Sequence, residues 1–93
     1  MKTIYKYPIG SFDSTLLKLP KKHTLLHAGL DPKEQICVWI ELDTDDLPSL
    51  YKQLKVSLVG TGCPIPKDTP EYFNTFLDGS FVWHVYTGLT SNV

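Results

Sequence analysis

Tyr72-Phe73-Asn74-Thr75-Phe76-Leu77, then Asp78-Gly79, then Ser80-Phe81-Val82-Trp83-His84-Val85-Tyr86-Thr87 is the stretch that decides the fold. An Asp-Gly step between two runs of β-branched and aromatic residues marks a β-hairpin, because those two residues tolerate the positive φ angles of a tight turn. In the second arm Phe81, Trp83 and Val85 face one way and Val82, His84 and Tyr86 the other. An arm that is apolar on both faces belongs in the interior of a sheet.

The rest of the chain repeats the pattern. Thr3 to Ile9 alternates, with Tyr5, Tyr7 and Ile9 on one face, and Ser14 to Leu19 follows with Thr15, Leu17 and Leu19 aligned before Pro20. Thr24 to Leu30 and Gln35 to Leu42 flank Asp31-Pro32-Lys33-Glu34, where Pro32 presets the second position of a turn. In the second of these arms Ile36, Val38, Ile40 and Leu42 share a face, which leaves Cys37, Trp39 and Glu41 on the other. Asp45 to Tyr51 carries apolar residues at helical spacing with Pro48 early, and reads as one helical turn. From Lys52 alternation resumes, with Leu54, Val56 and Leu58 inward and Gly60 closing the strand. Six to seven strands joined by short turns predict an all-β chain, a small antiparallel sandwich or a partly closed barrel. The expected domain spans residues 1–89, with a short tail from Thr90 to Val93.

A chain of 93 residues holds one domain and buries roughly 60–65 % of its unfolded surface, enough for a core without a disulfide or metal staple. The formal net charge of -1 supplies no field for bulk nucleic acid or an acidic membrane. Lys18, Lys21, Lys22 and His23 form the only basic cluster, nearly balanced by Asp43, Asp45 and Asp46, and both groups read as solvated loops. No stretch is long and apolar enough for a secretory signal or a membrane span. Cys37 and Cys63 are therefore expected to be reduced thiols, and the expected compartment is the cytoplasm.

The feature most open to function is Val59-Gly60-Thr61-Gly62-Cys63-Pro64-Ile65-Pro66. Amides of Gly60, Thr61 and Gly62 could converge on a phosphate or carboxylate; equally, the glycines supply positive φ angles for a corner that the prolines stiffen. Neither a P-loop nor a dinucleotide fingerprint is present. His23, His27, His84 and Cys63 make a poor metal set, since positions four apart on a strand are separated by about 13 Å. Cys63, His84 and Asp78 or Glu71 contain the residue types of a nucleophilic triad but no local signature, so no enzyme and no cofactor are expected. Of the aromatic residues Trp39, Tyr72, Phe76, Trp83 and Tyr86, most belong to the core. One or two left exposed beside the amide-rich corner and His84 would suit a stacked base with its phosphate, or a protein contact. The candidate ligand-binding set is thus Trp39, Gly60, Thr61, Gly62, Cys63, His84 and Tyr86.

The opening Ile4-Tyr5-Lys6-Tyr7, the middle Leu25-Leu26-His27-Ala28-Gly29-Leu30-Asp31 with Val38-Trp39, the Val59 to Pro66 loop and the closing Phe81-Val82-Trp83-His84-Val85-Tyr86 together resemble a family of small uncharacterised bacteriophage proteins. In that family the loop usually carries histidine at the position of Cys63. The resemblance implies a phage gene product in the host cytoplasm. It does not itself supply a function; small accessory phage proteins often interfere with host defence, and with the amide-rich loop beside strand aromatics the leading expectation is a non-enzymatic binding protein that antagonises such a process by sequestering a nucleotide-like signal. The alternatives are a protein–protein inhibitor acting through exposed aromatics, or a minor virion component. Unpaired sheet edges make a homodimer a further expectation.

Overall fold

The computed structural model describes residues 1–10, 14–45 and 52–90. Among these lie seven strands: β1 (Lys2–Pro8), β2 (Ser14–Leu19), β3 (His23–Leu30), β4 (Ile36–Asp43), β5 (Lys52–Gly60), β6 (Glu71–Asp78) and β7 (Phe81–Leu89). They form two antiparallel sheets, of order β1-β4-β3 and β2-β5-β7-β6. The sheets pack as a sandwich and do not close into a barrel. The helical turn expected over Asp45 to Tyr51 falls, from residue 46 on, outside the described residues. Thr90, read as the first residue of the tail, donates its N–H to the Gln53 carbonyl at 3.0 Å and continues the β5–β7 ladder.

Period-two patterning builds the core. Ile36, Val38, Ile40 and Leu42 of β4 are buried, and they join Leu54, Val56 and Leu58 of β5, Val85 of β7 and Leu19 of β2 in one apolar cluster. Tyr7, Leu17, Phe73 and Trp83 pack against its margin. Cys37 departs from the expected alternation, because it is fully buried although it belongs to the outward row of β4. It pairs with Pro8 and Gly29, beside the ion pair that Lys6 makes with Asp31. Burial pushes the Cys37 thiol pKa up, and the nearby Asp31 carboxylate adds to that.

Asp31 organises the β3–β4 hairpin. Its Oδ1 accepts the N–H groups of Lys33 and Gln35, each at 2.9 Å, while Glu34 donates its N–H to the Asp31 carbonyl across Pro32 at 2.8 Å. Glu34 then takes a left-handed φ of 62° to return the chain. The other carboxylate oxygen accepts from Lys6 Nζ at 2.8 Å, which ties the turn to β1. The Lys6 ammonium, with the Gln35 and Lys33 amides, holds the Asp31 pKa down at about 2.

In the second sheet β7 lies between β5 and β6, as its two apolar faces require. The β6–β7 turn is centred one residue later than the sequence suggests. Asp78 pairs with Phe81, so Gly79 and Ser80 are the two loop residues, and only Gly79 has a positive φ, of 60°. That is the pattern of a type II′ turn, which asks for glycine at its first central position. Because β5 and β6 both run antiparallel to β7, they are parallel to each other. The Thr61 to Pro70 segment therefore carries the chain past β7, from a point beside Val82 to the start of β6 opposite Thr87.

Candidate functional site

The residues with chemistry to offer gather on the outward face of the four-stranded sheet. Val85 points into the core, so its neighbours His84 and Tyr86 point outward, with Val82 in the same row. The register sets Thr75 of β6 opposite His84, Tyr72 opposite Tyr86, and Leu77 opposite Val82. A bulge between Tyr72 and Asn74 turns Asn74 toward the other sheet, where its Nδ2 donates to the Ala28 carbonyl at 3.0 Å.

His84 sits in a chain of hydroxyl groups. Its Nε2 lies 2.7 Å from Thr61 Oγ1 and its Nδ1 2.9 Å from Thr75 Oγ1, which is in turn 2.8 Å from the Tyr72 hydroxyl. Tyr72 and Tyr86 meet edge to face with ring centroids 5.7 Å apart. Both imidazole nitrogens are thus engaged by threonine. Cys63 is not among the partners of His84, and Asp78 instead accepts from Trp83 Nε1 at 3.4 Å. Sequence reasoning left Thr75 out of the site. The signal was present in the hairpin, but a turn centred on Asp78-Gly79 would have placed Phe73 opposite His84.

At the glycine-rich corner part of the backbone is already engaged. Thr61 donates its N–H to the Val82 carbonyl at 3.2 Å, and Cys63 donates to the Gly60 carbonyl at 3.0 Å. Two of the corner's N–H groups are thereby spent on holding the turn. Only Gly62 needs a glycine for its backbone, with a φ of 90°. Gly60 does not: a Cβ there would meet Cys63 Sγ at 3.5 Å and the Trp83 ring at 3.7 Å, both ordinary contacts. Cys63 is exposed.

Trp39 is the expected site residue that the fold sets apart. It belongs to the outward row of β4, on the three-stranded sheet, between Lys6 of β1 and His27 of β3. Its ring lies 5.7 Å from that of His27. The fold thus brings Thr61, His84 and Tyr86 together, with Gly60, Gly62 and Cys63 beside them, and leaves Trp39 on the opposite side of the sandwich. The remaining histidine, His23, is placed at a third location, with Nδ1 2.8 Å from the Pro20 carbonyl.

A concave surface lies elsewhere again. A depression of about 320 Å³ is lined by Lys2, Lys22, His23, Thr24, Glu41, Leu42 and Asp43. Charges of both signs line it, and Lys2 and Glu41 stand 3.8 Å apart across it. Asp43 is held by the Asp45 N–H and by the terminal ammonium of Met1, which keep its carboxyl below the usual range.

No curated protein and no solved structure matches the chain. The sequence pattern of a domain of unknown function, DUF7352, matches residues 1–92, and the chain belongs to that family.

Proposed function

We propose that this is a non-enzymatic binding protein that engages a protein partner through the outward face of β6 and β7. In the phage setting implied by the resemblance, the partner is a host protein and the consequence is interference with a host defence process in the host cytoplasm. The carrying observation is the exposure of large apolar side chains in the outward row of β6: Leu77 is 70 % exposed and Tyr72 58 %. Side chains of this kind around hydrogen-bonding groups have the composition of a protein contact. The engagement of His84 by two threonines, with no carboxylate behind it, supports a binding role over a nucleophilic one.

The test is affinity capture from host lysate with the wild-type chain, Leu77→Glu, Tyr72→Glu and, as a control on the other sheet, Leu26→Glu. A partner retained by the wild type and the control but lost with both hairpin variants supports the reading; equal capture by all four chains rejects it. A nucleotide-like ligand is the second reading, favoured by the Tyr72 and Tyr86 rings standing beside an imidazole. A thermal-shift screen against cyclic nucleotides and ADP-ribose derivatives decides it. A site saturated at a hundred times its dissociation constant adds about 2.7 kcal/mol, a rise of more than about ten degrees for a domain this small.

A further inference from the structure

Strand β6 ends the four-stranded sheet, so one side of its backbone has no partner among the described strands. Its ladder with β7 says which groups those are. In a two-residue hairpin the closing pair, here Asp78 with Phe81, exchanges both bonds, and bonded pairs recur at every second residue: Phe76 with Trp83, then Asn74 with Val85. The N–H and C=O groups of Thr75 and Leu77 therefore point away from β7, into the free edge.

The other edges are guarded. On β1 the bonds from Ile9 to Ile36 and from Thr44 to Met1 make the odd-numbered residues the ones tied to β4, which leaves Lys2, Ile4 and Lys6 on the free edge before Pro8. A second β1 laid antiparallel with Ile4 against Ile4 sets lysine opposite lysine, and the proline ends the row of donors. On β3 a bulge at Leu26 breaks the ladder, and Asn74 Nδ2 already caps the Ala28 carbonyl. Strand β2 is the shortest of the seven and carries Lys18. Between Asn74 and Asp78, β6 has neither lysine nor proline.

Exposure points to the same edge. After Met1, the three most exposed large apolar side chains among the described residues all stand on the β6–β7 hairpin, and they lie on both of its faces: Leu77 and Tyr72 in the outward row, Phe81 in the inward row against Trp83. An occupant that covers both faces enters along the edge. The chain exposes 6216 Å² of surface, about 800 Å² more than the roughly 5400 Å² of a compact 10.5 kDa monomer, and that excess is one partner's share of a standard-size interface.

We infer that two copies of this chain pair antiparallel through β6, joining their four-stranded sheets into one of eight strands. The register follows from the count of bonds. With Thr75 opposite Leu77 of the second copy, both edge residues of each copy are bonded and four hydrogen bonds form; Thr75 against Thr75, or Leu77 against Leu77, gives these residues only two. The favoured register sets Phe76 against Phe76 and Asn74 against Asp78, so no like charges face each other. The outward face remains open in such a dimer and runs on across both copies, which adds an assembly to the binding reading without depending on it.

The test is sedimentation equilibrium of the purified full chain over about a hundredfold range of concentration, with amide hydrogen exchange followed by NMR on the same samples. The mass is expected to rise from 10.5 kDa toward twice that value. As it does, the Thr75 and Leu77 amides should become protected, while the Phe76 amide is protected throughout. Leu77→Pro removes only an edge N–H, which edge strands tolerate, and Leu77→Lys adds the guard that β1 carries; each should weaken association at least about tenfold, whereas Leu16→Lys on β2 should not. A mass that stays at 10.5 kDa overturns the inference. So does a dimer whose Thr75 and Leu77 amides still exchange rapidly, or one that protects Lys2, Ile4 and Lys6 instead. If Leu77→Pro fails to fold, Leu77→Lys and the wild-type exchange pattern decide. The mass is read without lysate, so a dimer that captures no host protein upholds the pairing and rejects the binding reading, and a monomer that captures one does the reverse.

Discussion

Two leucines three residues apart in β2 test the sandwich with one chemical change. Leu19 is fully buried in the shared core, whereas Leu16 is 53 % exposed on the outward face. Leu19→Ala removes three buried carbons, about 2.4 kcal/mol of transfer energy at ~0.8 kcal/mol each. A residual cavity of roughly 40 Å³ adds about 1 kcal/mol at ~24 cal/mol per Å³. Spread over a chain of this length, whose unfolding entropy is about 0.2 kcal/mol per degree, a loss near 3.4 kcal/mol lowers the midpoint by about 17 °C. Leu16→Ala leaves no cavity and is expected to cost under about 1 kcal/mol, less than about 5 °C. Thermal unfolding followed by circular dichroism, with urea midpoints as a check, measures both. Equal losses, or a larger loss at Leu16, would mean that β2 is paired with β5 one residue out of the register Leu19 to Lys52. The outward face of the whole sheet would then have to be reassigned.

Three further outcomes follow from the same geometry. Asp31 has a folded pKa below its unfolded one, so its contribution is complete above about pH 4 and is lost as pH falls through about 2; the gap in melting temperature between wild type and Asp31→Asn should therefore shrink over that window, and a gap constant down to pH 2 rejects the assignment. Gly62→Val places a β-branched residue at a φ of 90° in open space, so it should fold and lose about 1–2 kcal/mol to backbone strain alone, with Gly62→Asn losing less. Gly88→Ala sets a Cβ 2.8 Å from Pro70 Cβ, whereas Gly29→Ala meets only the movable ring of His27 at 2.7 Å; the first should destabilise more than the second, and the reverse order in a denaturant series would count against the packing at the start of β6.

The strands were legible because alternation is a local property. Ile36, Val38, Ile40 and Leu42 declare an inward row whatever they pack against, and Pro32 declares its turn. Cys37 was assigned to the correct row, but its burial was illegible because its surroundings include Lys6 and Asp31, which are distant in sequence from each other. Strand order was illegible for the same reason: nothing local in Val59 to Pro66 says that the next strand joins the sheet beyond β7. The site suffered most from a single-residue error. Centring the hairpin on Asp78-Gly79 instead of Gly79-Ser80 exchanges every cross-strand partner, and it hides Thr75 from His84. Trp39 was grouped with the corner on residue type alone, and the two-sheet arrangement separates them.

Once the topology is known, the glycines and prolines of the corner have a structural explanation that does not need a ligand. The chain must leave β5 while still bonded to Val82, turn through a left-handed residue at Gly62, and travel past β7 to reach the start of β6. A glycine at the turn allows the reversal, and prolines along the run reduce the entropy lost in ordering a segment that has no ladder of its own. Of the three amides expected to converge on an anion, that of Thr61 is spent on this turn. Beside the corner, the Thr61 hydroxyl reaches the sheet face and meets His84 Nε2 at 2.7 Å. A variant that separates the two roles is Thr61→Val, which keeps the turn's N–H bond to Val82 and removes the hydroxyl from His84 and from the Val82 carbonyl. It should leave the melting temperature within about 8 °C, the value of an exposed hydrogen bond at ~0.5–1.5 kcal/mol, while lowering affinity for the partner. Loss of the fold with Thr61→Val would return the loop to a purely architectural role and detach the hydroxyl chain from binding.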